Sequence, residues 1–163
     1  FIEIECEVEF MHFESIINSI KNGKVDAGVL LHEGQILFQK DGLTKISDLG
    51  ELWHENTGLP IPLGVDLVNR KFDEKTRKDL TTVFYKSVKY GIENEDAALK
   101  YAMQFGRDLS FEEARKFVRM YVNSDTLSLG AEGRDAILKL FNLAFEKNII
   151  NQKPVIDIMH PKY

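Results

Sequence analysis

Asp26-Ala27-Gly28-Val29-Leu30-Leu31-His32-Glu33-Gly34-Gln35 sets an imidazole and a carboxylate at the end of a short apolar run, with a glycine just beyond. An imidazole takes or gives a proton near neutral pH, so histidine at such a place suits general acid–base chemistry. Ligands of open parallel sheets sit beyond the carboxyl ends of strands, and a strand over 25–31 would carry His32 there. Successive strand residues alternate faces, so Glu33 would point away from His32. Gly34 would allow close backbone approach to a ligand or a positive φ. The same pattern describes a hydrogen-bonded buried histidine beside a turn glycine, and both readings stay open at this level.

The other polar candidates carry less. His12 sits at a strand-to-helix turn, His54 follows Trp53 near a helix end where the dipole favours a cationic ring, and His160 is in the tail. His32-Glu33 and His54-Glu55 look like the start of a helical zinc motif, but neither has its second histidine, and no metal site is expected. The two prolines of Leu59-Pro60-Ile61-Pro62-Leu63-Gly64 exclude a helix there. That segment reads equally as a hinge strand lining a cleft or as an edge strand. Arg70 and Lys71 read as surface charges. Tyr121, in Met120-Tyr121-Val122-Asn123, could face a cleft and reads more readily as core packing, with Asn123 closing a helix. Gly130 and Gly133 lack phosphate-loop spacing, and the chain contains neither a nucleophile elbow nor a Walker sequence.

The elements that must position His32 follow from periodicity. Ile2, Ile4, Cys6, Val8 and Phe10 alternate with Glu3, Glu5, Glu7 and Glu9, which predicts a half-buried strand with a solvated acidic face. Phe13, Ile16, Ile17 and Ile20 recur at helical spacing, and Gly23 stops them. With the buried strand predicted over 25–31, residues 2–31 read as a β-α-β unit. A further short strand is expected over 36–39 and another over 65–68. Ser47-Asp48 opens a helix through Trp53 that Thr57-Gly58 closes. Apolar spacing then predicts helices around 80–88, 97–105, 110–122 and 136–145, the third opened by the Ser110-Phe111-Glu112-Glu113 capping box. The expected class is α/β, with a helical C-terminal half.

The composition sets outer bounds. Of 163 residues, 44% are apolar and 29% charged, the balance of a globular chain rather than a disordered or fibrous one. A net charge of −5 gives no reason to expect nucleic acid or an anionic membrane as partner. No apolar run reaches the ~20 residues of a bilayer span. The single cysteine, Cys6, excludes an internal disulfide and fits a reducing, cytoplasmic setting. The chain opens on Phe-Ile-Glu inside a strand-like pattern, so further sequence is expected upstream.

The segment Asp26 to Gly34 resembles the central motif of the 1,4-dihydroxy-6-naphthoate synthase family, which acts late in the futalosine route to menaquinone. The resemblance runs on through Gly42-Leu43, Asp48-Leu49-Gly50-Glu51-Leu52-Trp53, Thr57 to Gly64, Met120-Tyr121-Val122-Asn123, and Gly130 with Gly133, in the expected order. It implies the two-lobed fold of periplasmic solute-binding proteins, here incomplete at the N-terminus. Residues 1–62 would form the smaller lobe and 63–163 the C-terminal part of the larger. It implies a cytoplasmic lyase that converts cyclic dehypoxanthine futalosine to 1,4-dihydroxy-6-naphthoate, with His32 as general base and no cofactor. Glu33, Gly34, Leu63 and Gly64 would contact the small-molecule substrate. The severed sheet edge would be covered by the missing N-terminal part or by a second copy. Two alternatives share this picture: a solute-binding protein of the same fold without chemistry, and a chorismate dehydratase-like enzyme of the same pathway.

Overall fold

Side chains that accept backbone hydrogen bonds set where four of the described helices begin. The computed structural model describes residues 5–106 and 109–162. A 3-10 turn, Phe13–Ser15, leads into α1 (Ile16–Lys21), which ends at Gly23 with a φ of 67°. Helix α2 (Gly34–Leu37) is one turn long. Helix α3 (Leu49–Thr57) opens on Asp48, whose carboxylate accepts from the amides of Gly50 (2.9 Å) and Glu51 (3.3 Å). It closes on Gly58, left-handed at φ 70°, where a side chain would be strained. Helix α4 (Glu74–Glu93) opens on Asp73, which accepts from Thr76 N–H at 2.9 Å. Helix α5 (Glu95–Ala102) follows after the single residue Asn94 and runs into a second 3-10 turn, Met103–Phe105.

Helix α6 (Phe111–Tyr121) carries the capping box expected for it. The Glu113 carboxylate accepts from Ser110 N–H at 2.9 Å, and the Ser110 hydroxyl accepts from Glu113 N–H at 3.4 Å. Helix α7 (Ser124–Leu127) opens on Asn123, so that residue starts a helix instead of closing one. Helix α8 (Gly130–Glu146) is the second longest among the described residues. None of these helices is long and apolar enough to cross a membrane.

The α/β, two-lobed, periplasmic-binding-protein-like reading is not what the structure contains: the described residues hold no strand. The strand expected over 2–10 lies partly outside them, at Ile2, Glu3 and Ile4. Residues 5–10, 25–31 and 65–68 run without ladder bonds. Period two marks a segment that can present one apolar face, but a strand exists only when a neighbour takes its N–H and C=O groups. No described segment does so here. The apolar side chains that a sheet would have buried stand open, Phe10 at 93% and Leu67 at 89% exposure. The strand expected over 36–39 fails for a local reason. The carbonyl of Glu33 accepts from the amides of Ile36 (2.9 Å) and Leu37 (3.0 Å), which winds the segment into α2.

The described core is small. Trp53, Leu99, Ala114, Ala136 and Ile137 are its buried apolar residues. Trp53 is fixed by its indole N–H, which donates to Pro60 O at 3.0 Å, so the rigid 59–64 segment folds back onto α3. Near the N-terminus, α1 packs on the run before His32. A Cβ on Gly28 would collide with Ile16 Cγ2, so glycine permits this approach. Leu99 of α5 and Ala114 of α6 are buried at the α5–α6 seam, and a charge cluster closes it. Glu95 accepts two hydrogen bonds from the Arg119 guanidinium and one from Arg115, all at 2.7 Å. These bonds, those from Arg119 foremost, pull the Glu95 carboxyl down from an ordinary 4.5 to about 2.

The accessible area is 12,548 Å². A compact monomer of this mass would show about 8,300 Å².

Three outcomes follow. Gly28→Ala should destabilise by roughly 1–3 kcal/mol in urea unfolding, the usual result of overpacking, and a neutral change would refute the close approach. The isolated chain should enhance 8-anilinonaphthalene-1-sulfonate fluorescence and unfold in urea with an m-value roughly three quarters of that expected for its length. A full m-value without dye binding would contradict the open surface. Glu95 binds its proton less tightly folded than unfolded. Its contribution is therefore present above about pH 4.5 and lost as pH falls toward 2. Glu95→Gln should be less stable at pH 7 and show a shallower acid slope across that window.

Candidate functional site

His32 departs from the backbone rule that every other residue of its segment obeys. Its φ is 53°, in the left-handed region. That conformation costs a residue with a Cβ roughly 1–2 kcal/mol and persists only where the surroundings fix it. In the sequence, Gly34 is the residue that would allow a positive φ or a close approach to a ligand. The structure puts the positive φ two residues earlier and makes Gly34 the first residue of α2. A Cβ at Gly34 would meet Ile17 and Leu30 only at ordinary contact distance.

The left-handed turn has local causes. The carbonyl of His32 accepts from Gln35 N–H at 3.2 Å, which begins the α2 turn directly after it. The imidazole lies against Phe13, ring centroids 4.6 Å apart and tilted by 50°. Phe13 is delivered by the turn that leads into α1.

His32 and Glu33 stand at one wall of a cavity of about 320 Å³. The opposite wall comes from α5, α6 and the stretch between them, with Leu99, Met103, Phe105 and Phe117 among its residues. The lining is apolar except for the imidazole and the carboxylate. A dry cavity of about 150 Å³ accepts benzene, so this one has room for a two-ring aromatic system. Such a lining binds flat apolar rings, and the two polar groups fix their orientation and can move a proton.

The segment that follows His32 meets α6 at two points. Gln35 Nε2 donates to Tyr121 Oη at 3.1 Å, and Lys40 Nζ pairs with Glu113 Oε1 at 2.5 Å. The Lys40 ammonium, with Ser110 behind it, holds the Glu113 carboxyl at about 2 against an ordinary 4.5. Neither contact has a signal in local sequence, since their partners lie 73 or more positions apart. Tyr121 is half-exposed at the end of α6 and packs on Phe117, centroids 5.1 Å apart.

The remaining residues expected at the site are elsewhere. Leu63 and Gly64 are exposed on the irregular segment that follows Pro62 and do not line the cavity. His54 approaches Leu59 O at 3.4 Å, and His12 pairs with Glu14 at 3.5 Å, so both serve local structure. Among the described residues no group of three or more histidine, cysteine or acidic side chains is placed to hold a metal ion.

Comparison with known proteins agrees on one relationship. Residues 1–146 match the profile of a family described as menaquinone biosynthesis. Two curated proteins named 1,4-dihydroxy-6-naphthoate synthase are each 33% identical over 144 residues. The one from Streptomyces coelicolor is matched over 88% of this chain and 51% of its own length, and the one from Thermus thermophilus over 88% and 53%. A crystal structure of an Archaeoglobus fulgidus protein superposes with a TM-score of 0.83 at 36% identity, covering 86% of this chain and 53% of that one. The chain therefore spans about half the length of the curated relatives it matches. With a family profile matched over most of its residues and relatives at this identity, the chain belongs to the menaquinone-biosynthesis family.

Proposed function

We propose that this chain carries the proton-transfer wall of a 1,4-dihydroxy-6-naphthoate synthase, a lyase acting on cyclic dehypoxanthine futalosine. The observation that carries the reading is the left-handed His32, with its imidazole at an apolar cavity sized for two fused rings. The names of its relatives support the same chemistry.

In this reading the ring system of the substrate lies against Phe105 and Phe117, and the sugar-derived part extends toward His32. The imidazole accepts a proton from that part. The electron pair left behind forms a new double bond as the adjacent carbon–carbon bond breaks, and the naphthoate ring system takes up the displaced pair. Positioned proton transfer of this kind supplies roughly 10²–10⁴-fold. Holding the scissile bond against the base supplies a further large part. Glu33 shares the cavity wall and serves to orient the substrate or the imidazole. The left-handed turn at His32, with α2 starting at Gly34 directly after it, places both residues, while Leu63 and Gly64 contact only a part of the substrate that extends beyond the cavity. Such a biosynthetic step belongs in the cytoplasm. The open surface of the chain is covered in the working enzyme by further polypeptide, equivalent to the half of the relatives that this chain does not match.

His32→Ala in the active protein should abolish formation of 1,4-dihydroxy-6-naphthoate from the cyclic substrate, a loss of at least ~10²-fold in kcat. Fluorescence titration with 2-naphthoate should still show binding, and the thermal transition should change little, because alanine leaves no buried gap at an exposed site. Turnover retained within a few-fold would remove His32 from the mechanism. Binding without turnover in the unaltered protein would favour a solute-binding role.

A further inference from the structure

The histidine's turn and the aromatic wall of the cavity are joined through Gln35 and Tyr121. Gln35 donates both to that turn and to Tyr121. Its main-chain N–H goes to the carbonyl of His32 at 3.2 Å, and its side-chain amide goes to the Tyr121 hydroxyl at 3.1 Å. Tyr121 in turn packs on Phe117, which lines the cavity. The left-handed φ of His32 is thus linked through Gln35 to the last turn of α6, 86 positions from Gln35 in sequence.

We infer that Gln35 and Tyr121 are a positioning pair for the proposed reaction: together they hold His32 in its left-handed turn and so aim its imidazole into the cavity. Neither lines the cavity, so neither is a catalytic residue. The inference rests on His32 being the base. A strained conformation needs surroundings that over-determine it, and two hydrogen bonds from one residue, one of them to a separate helix, meet that need. The Lys40–Glu113 contact fastens the same segment to the other end of α6 without touching the histidine's turn, and it supplies the control.

The experiment uses the active protein with Tyr121→Phe, Gln35→Ala, the double variant and Lys40→Gln. The first readout needs no substrate. A positive φ brings a residue's own amide hydrogen and Hα unusually close, which gives a strong intraresidue NOE at His32. That signal should be present in the unaltered protein and in Lys40→Gln, and weakened in Tyr121→Phe and Gln35→Ala. The second readout is turnover of cyclic dehypoxanthine futalosine. Each single variant should lose roughly tenfold in kcat with KM within about twofold, as small misplacements of a catalytic group do. The double variant should be no worse than either single one, because the two residues act as a unit. Lys40→Gln should keep kcat within about twofold even if its melting temperature falls.

An unchanged NOE in both single variants overturns the pairing, as do an unchanged kcat in Tyr121→Phe, losses that multiply in the double variant, or an equal loss in Lys40→Gln. If the unaltered protein turns over no cyclic substrate, the reading of the reaction fails. The NOE comparison then decides the pairing alone.

Discussion

The seating of α6 is the constraint on which the remaining arrangement depends. One flank of this helix lies on α5, where Leu99 and Ala114 are buried and Arg115 and Arg119 converge on Glu95. From its two ends it also reaches the segment after His32, through Glu113 to Lys40 and through Tyr121 to Gln35. The cavity lies between the α5–α6 pair and the turn that carries His32. If α6 moved, the aromatic wall and the imidazole would separate together, because the same helix sets both.

The forces at this seam differ in weight. The apolar burial is dominated by Leu99, and a fully buried leucine side chain contributes about 1.5–3 kcal/mol. The charged contacts stand near water, where a single ion pair typically contributes under about 1 kcal/mol. The Glu95 cluster differs in that one carboxylate receives three guanidinium hydrogen bonds in fixed geometry, which sets the register of α5 against α6. Burial thus holds the two helices together, and the charges decide how they align.

What could be read from the sequence was whatever depends on neighbours within a few positions. Asp48 and Ser110 cap the helices expected of them, and Gly58 stops α3, because a cap needs only an acceptor and the amides beside it. His32 was legible as the residue to watch because its neighbours single it out, and the structure places it at the cavity. The strands were not legible in the same sense. Alternation at 5–10 and the apolar run at 25–31 describe a face, while a ladder requires a second segment that local pattern does not contain. Gly34 reads as a residue that would permit a left-handed turn or a close approach to a ligand, because glycine adopts positive φ without cost. The helical hydrogen bonds that follow put the turn at His32, where the cost is borne. Tyr121 read as core, since nothing near it in sequence shows that Gln35 will meet its hydroxyl.

The indole packed beneath Pro60 has a practical corollary. Trp53 is the sole tryptophan of the chain, it is almost wholly shielded, and its N–H is tied to the segment that folds back over α3. Emission excited at its long-wavelength edge therefore reports on that one corner of the molecule. A shift toward the red would record the 59–64 segment peeling from its helix, whatever state the helices around the histidine were in. Tyrosine emission or far-ultraviolet dichroism would follow the remainder, and any disagreement between the two signals would mark a molecule that comes apart in stages.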